Sequence, residues 1–194
     1  MSQEFHHIPV LKDAVLEHLT FDDSRMVRMI DGTVGGGGHS ALLLERYPLL
    51  ELLGIDRDEM ALQAAAKRLA FAGNRVKLVR GNYADLAEIA RANGWDKVDG
   101  ILLDIGVSSP QLDLPERGFS WRADGLLDMR MDQRSELTAG RWLNRTSEAE
   151  MERVFREYGE IRQAKALAKK AAEMRSSKPF ARTSDLVALS DAVL

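Results

Sequence analysis

The chain has 194 residues, of which 45% are hydrophobic and 29% charged, and its formal net charge is −3. This length and composition fit one soluble globular domain, with or without a small second unit. No apolar run approaches the ~20 residues of a membrane-spanning helix, and the start lacks the basic and then apolar pattern of a secretory signal. Cysteine is absent, which excludes disulfides and thiolate catalysis and favours a cytoplasmic protein.

The first part of the chain alternates short apolar segments with helical patterns, which is typical of a parallel sheet with crossover helices. Asp58 is placed to cap a helix over 59–71, which Gly73 closes. The pattern predicts an α/β fold of the Rossmann type. Strands are predicted over residues 27–30, 49–55, 76–79 and 98–103.

Beyond Pro110 the sequence predicts no further strand, only irregular sequence to about residue 132 followed by helices. Ser147 and Glu150 form a capping-box pattern for a helix that ends at Gly159, and helical spacing resumes over 161–174. The last segment is still in a helical pattern at residue 194. We therefore predict a small helical unit.

This helical part is also the more basic one. From Ser135 onward there are 11 Lys and Arg against 9 Asp and Glu, whereas residues 1–134 contain 16 against 21. Charge patterning alone favours a solvated helix face and a phosphate-contacting surface equally. Within 161–182 the only acid is Glu173, and the basic residues are Arg162, Lys165, Lys169, Lys170, Arg175, Lys178 and Arg182.

The segment from Met29 to Ser40 predicts a cofactor loop, because an apolar strand ends in Asp31 and runs into the four glycines 35–38. Glycine permits positive φ and brings backbone N–H groups close to a ligand, and the next helix begins at the loop. A phosphate loop of the ATPase kind needs Lys and then Ser or Thr where His39 and Ser40 stand, so that kind of site is disfavoured.

Two carboxylates bear on the choice between NAD and S-adenosylmethionine, the two cofactors that stay open. Asp56, about 20 residues beyond the loop, suits the ribose of either NAD or S-adenosylmethionine. Asp31 would repel a pyrophosphate but attract an ammonium or sulfonium group, which favours S-adenosylmethionine. Asn82 and Tyr83, after the third strand, are placed to hold a purine, although a turn residue and a packing residue explain them equally well. An NAD-dependent oxidoreductase stays open as an alternative.

The fourth strand delivers Asp104 to the carboxyl edge of the sheet, where ligands of open α/β sheets bind. A carboxylate there can accept a hydrogen bond from an exocyclic amine that is to be methylated, and an N-cap or turn acid is the less favoured alternative. His39 can contact the cofactor or merely cap its helix. No His, Asp and Glu cluster has metal-ligand spacing, so no metal is predicted.

Aromatic and guanidinium side chains alternate over 117–132. Phe119 and Trp121 can stack on bases while Arg117, Arg122 and Arg130 meet phosphates, as in single-stranded RNA recognition. Equally, the aromatics can be core residues and the arginines can pair internally with aspartates.

Taken together, these motifs closely resemble the bacterial ribosomal RNA small-subunit methyltransferase H family, also called MraW. The resemblance covers essentially the whole chain in order. It is carried by the segments His7–Leu11, Asp31–Ser40, Asp56–Asp58, Asp99–Gln111 and Arg117–Asp132.

The resemblance implies a cytoplasmic enzyme that uses S-adenosylmethionine to methylate the N4 amine of a cytosine in the decoding region of 16S rRNA. Asp104 would lie nearest the reacting amine and is the candidate catalytic residue. The implied cofactor contacts are Gly37, Gly38, His39, Asp56, Tyr83, Asp104 and Gln111.

The family's domain plan implies a Rossmann-like domain over 1–115, with the first four strands, and an inserted helical domain over 116–194. Family members continue with further strands, so we expect this chain to be an incomplete version whose fourth strand leaves an apolar edge exposed. A non-catalytic RNA-binding fragment is therefore the second alternative.

Overall fold

A computed structural model describes residues 9–194 of the chain. His7 and Ile8 of the first motif lie outside the described residues, as do the first residues, in which no secretory signal is predicted. The chain divides into two compact units, Met1–Gly106 and Val107–Leu194. The boundary at residue 115 between a cofactor-binding domain and an inserted helical domain stays a prediction.

The first unit is built on a four-stranded parallel sheet whose strand order is β3-β2-β1-β4. All four predicted strands are present, which confirms the α/β fold. Strand β4 is shorter than predicted, because only three of its residues pair with β1. The order places β2 and β3 on one side of β1 and β4 on the other, so the topology reverses between β1 and β4. The strands are β1 (Val27–Asp31), β2 (Leu50–Asp56), β3 (Val76–Arg80) and β4 (Gly100–Leu102).

Helices cover both faces of this sheet, as a buried parallel sheet requires. Asp58 caps α3 by accepting a hydrogen bond from the backbone N–H of Met60 at 3.1 Å, as predicted. The helix ends three residues earlier than predicted, and a 3-10 turn over Ala70–Arg75 follows, in which Gly73 has φ +56°. The helices of this unit are α1 (Lys12–His18), α2 (Gly38–Arg46), α3 (Glu59–Arg68) and α4 (Leu86–Ala92).

Alternate residues of the central strands supply two apolar layers, one on each side of the sheet. Met29 and Leu52 belong to the layer shared with α2 and α3, whereas Ile30 and Leu53 belong to the layer shared with α4. All four side chains are fully buried. The central strands are therefore rigid supports for whatever their carboxyl ends carry.

Strand β4 lies at one edge of the described sheet and pairs there only with β1. Ile101 and Leu103 are 45% and 40% exposed, and Ile105 just beyond them is 71% exposed. The predicted apolar edge is thus present in the described structure.

The second unit is helical, as predicted, and its core gathers Leu127, Met151, Leu167 and Leu189 among others. The predicted cap at Ser147 is present, with its Oγ accepting from the N–H of Glu150 at 3.3 Å. The last helix ends at Asp191, so the prediction that it continues to residue 194 is wrong. The helices are α5 (Ser109–Asp113), α6 (Ala139–Arg145), α7 (Glu148–Glu157), α8 (Ala164–Ser177) and α9 (Thr183–Asp191).

Within residues 107–194 the only β-type pairing is an isolated antiparallel bridge between Leu126 and Arg182. Among the described helices, none combines the length and the apolar character needed to cross a bilayer.

Candidate active site

The glycine loop joins β1 to α2 in a conformation that needs glycine. Gly35 and Gly37 have φ of +51° and +77°, which side chains disfavour. A Cβ on Gly37 would lie 3.1 Å from the Leu69 side chain and 3.3 Å from the Cα of Ala65, so α3 also packs too closely for one. The N–H of Gly35 donates to the Asp56 carboxylate at 2.9 Å, which ties the loop to the end of β2.

Asp31 ends β1 and is only 2% exposed. One carboxylate oxygen accepts from the Ser40 hydroxyl at 2.6 Å and the other from the Thr33 N–H at 3.1 Å. Burial raises the pKa of Asp31 from its ordinary 3.8 to about 6, the two hydrogen bonds offset part of that rise, and the nearby Asp56 adds to it. Asp31 is therefore a carboxylate whose negative charge the protein itself only partly stabilises.

Asp56 ends β2 beside it. Its two oxygens accept from the N–H groups of Gly35 and Asp58, both at 2.9 Å. Burial raises the pKa of Asp56, and these hydrogen bonds oppose the rise. Because an ionised carboxylate has about four acceptor positions, Asp56 retains capacity for a ligand's hydroxyl groups.

After β3, the Asn82 side chain accepts from the N–H of Ala84 at 3.1 Å and caps the short turn Tyr83–Asp85. Asn82 therefore has the turn role that was the alternative to a purine contact. Tyr83 lies against the end of β1, because a Cβ on Gly32 would fall 3.1 Å from the Tyr83 Cβ and 2.5 Å from the Leu103 side chain. Gly32 is a positioning residue that sequence reasoning missed.

Asp104, just after β4, joins the same edge. Its backbone N–H donates to the Thr33 hydroxyl at 2.7 Å, and its carboxylate, which is exposed, lies 3.9 Å from Nδ1 of His39. The Nε2 of His39 lies 2.7 Å from the carbonyl oxygen of Val10. A carbonyl oxygen only accepts hydrogen bonds, so Nε2 of His39 carries a proton. In the neutral ring Nδ1 is therefore unprotonated, and its lone pair faces Asp104. Thr33 was also missed from the sequence.

The first unit therefore brings together all but one of the predicted site residues. The carboxylates of Asp31, Asp56 and Asp104 stand at the carboxyl ends of β1, β2 and β4, where the topology reverses. Within residues 9–194 none of the three forms an ion pair with Lys or Arg. This edge is suited to a ligand that carries positive charge and hydroxyl groups.

Gln111 belongs to the second unit and is 5% exposed. Its side-chain oxygen accepts from the N–H of Ser108 at 3.0 Å and completes a capping box at the start of α5. This local role was not foreseen from the sequence, and the cofactor contact of Gln111 stays a prediction.

The arginines of 117–132 are mostly engaged within the unit. Arg117 is 2% exposed and donates to the carbonyl of Arg130 at 3.1 Å, and the Arg130 guanidinium pairs with Asp128 at 2.6 Å. Internal pairing with an aspartate is therefore correct for Arg130, whereas Arg117 is held inside the unit by backbone carbonyls. Trp121, in contrast, is 77% exposed, and Arg122 beside it is exposed as well.

A surface hollow of about 350 Å³ on the first unit lies between α3 and β3, and it contains none of the predicted site residues. Its floor is apolar, and its rim carries the ion pair of Arg80 and Glu59 at 3.1 Å. We assign it no role. Among the described residues no group of three or more His, Cys, Asp or Glu side chains is arranged to hold a metal ion.

A parallel sheet with a glycine loop after β1 and acids at the ends of β1, β2 and β4 defines the class of α/β proteins that bind a nucleotide-like cofactor at a strand-order reversal. The chain belongs to the MraW methylase family, whose model matches residues 4–194. The family resemblance seen in the sequence is thereby confirmed.

Three curated relatives carry the name ribosomal RNA small subunit methyltransferase H. The protein from Heliobacterium modesticaldum is 49% identical over 94% of this chain and 58% of its own length. Those from Trichlorobacter lovleyi and Symbiobacterium thermophilum are 45% and 47% identical, over 96% and 98% of this chain and 60% and 59% of their own. The chain thus spans about three fifths of the relatives' length.

Proposed function

We propose that this chain carries the cofactor-binding part of an S-adenosylmethionine-dependent enzyme that methylates the N4 amine of a cytosine in the decoding region of 16S rRNA, in the cytoplasm. The observation that supports it is the group of three carboxylates, without a Lys or Arg partner in the described chain, at the strand-order reversal. The relatives' shared name points to ribosomal RNA of the small subunit as the substrate.

The residues present fit this cofactor. Asp31 and Asp56 are acceptors for a cationic amino-acid group and for ribose hydroxyls, and burial makes Asp31 in particular favour a cation. Gly37 allows the left-handed turn of the loop, and Gly38 leaves room for Pro9, since a Cβ there would lie 2.6 Å from the Pro9 ring. Tyr83, whose Cβ lies beside Gly32 at the end of β1, supplies an aromatic ring. We assign cofactor contacts to Gly37, Gly38, His39, Asp56, Tyr83, Asp104 and Gln111.

The same electrostatics weigh against NAD. A pyrophosphate would have to approach the glycine loop next to Asp31 and Asp56, whose raised pKa values already reflect the cost of negative charge there. The sign of the charge therefore favours the sulfonium cofactor.

S-adenosylmethionine supplies a methyl group activated by a sulfonium. Methylating an exocyclic amine is difficult because its lone pair is delocalised into the ring. Asp104 is exposed and can accept a hydrogen bond from that amine, which favours tetrahedral nitrogen, while Thr33 fixes its backbone at 2.7 Å. The target base must first leave its stack, at a cost of a few kcal/mol.

Calorimetric titration of S-adenosylmethionine into this 194-residue chain, with NAD as the control ligand, tests the proposal. We expect micromolar binding of S-adenosylmethionine and none of NAD. A preference for NAD would reverse the assignment. RNA affinity without affinity for either ligand would favour a non-catalytic RNA-binding protein, for which the exposed Trp121 is the supporting feature.

In a catalytically active preparation of the enzyme, Asp104→Ala should lower the rate of methyl transfer to 16S rRNA by at least about 100-fold, because the hydrogen-bond acceptor for the amine is lost. RNA binding should stay largely intact. Transfer of labelled methyl groups measures the effect, and Asp96→Ala, an exposed acid of the same unit, is the matched control. Near-normal turnover by the Asp104 variant would remove this residue from the mechanism.

A further inference from the structure

The seven basic residues of 161–182 separate into two groups in the structure. Four have described partners that explain them structurally. Lys170 lies 3.8 Å from Glu173, Arg175 donates to the carbonyls of Leu143 and Thr146 at the end of α6, Lys178 pairs with Asp185, and Arg182 pairs with Asp124.

The other three, Arg162, Lys165 and Lys169, are exposed, and in the described part of the chain none of them forms an ion pair. The neighbouring helix α7 does not neutralise them either. Three of its four acids are engaged by its own arginines, since Arg153 bridges Glu150 and Glu157 and Arg156 pairs with Glu152. The fourth, Glu148 at the start of the helix, forms no ion pair with the three cations in the described chain.

Two of these cations share one side of α8, because Lys165 and Lys169 are four positions apart, about 6 Å along the helix. Arg162 lies in the turn just before the helix, three positions before Lys165. The buried face of the helix is the other one, formed by Ala164, Leu167, Ala168 and Ala171. We call Arg162, Lys165 and Lys169 the basic face.

In the described chain, no ion pair or side-chain hydrogen bond that holds the fold together uses the basic face. Lys165 and Lys169 lie in the first half of α8 and Arg162 just before it, and positive charge near the start of a helix is unfavourable because of the helix dipole. The exposed positions beside them on α8, such as Ala166 and Ser176, are small or polar, whereas protein interfaces are typically anchored by aromatic residues. Clustered cations without apolar anchors match a phosphate backbone instead.

We propose that the basic face binds the phosphate backbone of single-stranded RNA. This rests on the proposed function for the identity of the polyanion, and it assigns the contact to three particular side chains. The proposed contact contributes to affinity for RNA and not to sequence specificity, since phosphate contacts carry no base information.

The test is fluorescence anisotropy of a short fluorescein-labelled single-stranded RNA of mixed sequence with this chain, over a range of KCl concentrations. The variant Arg162→Gln/Lys165→Gln/Lys169→Gln should bind about tenfold or more weakly at low salt. Its slope of log affinity against log salt should be shallower by about 2, since each phosphate contact on a single strand contributes roughly 0.7. Circular dichroism should show an unchanged fold.

The matched control is Arg134→Gln/Arg153→Gln/Arg156→Gln, which removes the same charge from the same unit at arginines that pair with Asp132, Glu150 and Glu152. It should keep the wild-type slope. Equal losses in both variants would show a general charge effect, and an unchanged slope in the first would show no contact; either result overturns the inference. S-adenosylmethionine titration reports separately on the proposed function, because neither variant changes the first unit.

Discussion

Asp31→Asn should make the protein more stable at neutral pH and at the same time weaken its affinity for S-adenosylmethionine. The first effect follows from burial. The pKa of Asp31 is about 6 in the folded chain against 3.8 ordinarily, so ionising it within the fold costs about 3 kcal/mol once the pH is well above 6. Asparagine has the same shape, and its oxygen can accept from the Thr33 N–H while its NH2 group donates to the Ser40 hydroxyl oxygen, which reverses the direction of that bond.

The pH dependence identifies the cause. Because the folded state binds the Asp31 proton more tightly than the unfolded chain, this group favours folding at low pH, and that stability is lost as the pH rises through about 6. The gain from Asp31→Asn should therefore be near zero at about pH 3.8 and largest above about pH 7. Urea unfolding at a series of pH values measures it. A gain that is independent of pH would mean that repacking, and not charge, is responsible.

The second effect is the weaker affinity of Asp31→Asn for S-adenosylmethionine, which explains why the fold retains a destabilising buried charge at Asp31. A bound cation would stabilise the ionised carboxylate, so we expect the affinity of the wild-type chain to rise with pH through about 6 and that of the variant to be flat. A loss of about tenfold to 100-fold in affinity at neutral pH is expected. Asp23→Asn, at an exposed acid of the same unit, should change neither quantity. Full cofactor affinity in Asp31→Asn would remove Asp31 from the cofactor site.

Much of the sheet was predictable because its signals are local. Apolar segments, turn residues and the cap at Asp58 each depend on a few neighbouring residues, and all four strands appear where they were expected. The ends of elements were less predictable. Strand β4 is limited to the three residues that find a partner in β1, a contact between segments some 70 residues apart that no local pattern contains.

The acidic residues of the candidate site could be predicted from the sequence, but the contacts that hold the site together could not. Spacing put Asp31, Asp56 and Asp104 at strand ends, whereas the supporting role of Thr33 and the burial of Arg117 depend on chain segments that meet only in the fold. Arg117 shows the limit most clearly. In sequence it looks like a phosphate contact among aromatics, yet in the structure it is a buried donor to backbone carbonyls.

Gly118 marks a second place where the fold depends on a contact invisible in the sequence, and Gly118→Ala should destabilise the second unit by about 3 kcal/mol or more. The residue has φ +72°, and a Cβ there would lie 2.3 Å from the carbonyl oxygen of Leu126 and 2.6 Å from the N–H nitrogen of Asp128. Both obstacles are backbone atoms, so no side chain can move aside, and the loop that holds Arg117 must shift.

Gly94→Ala separates the two contributions to that cost. Gly94 has φ +77°, close to that of Gly118, but its Cβ would meet nothing within 4 Å. Conformational strain alone should cost about 1 kcal/mol there, so the difference between the two variants measures the backbone overlap. Urea unfolding gives both free energies, and hydrogen exchange should show faster exchange around residues 115–135 only in Gly118→Ala. Equal losses in the two variants would mean that the loop yields freely and that Arg117 is not held by a rigid frame.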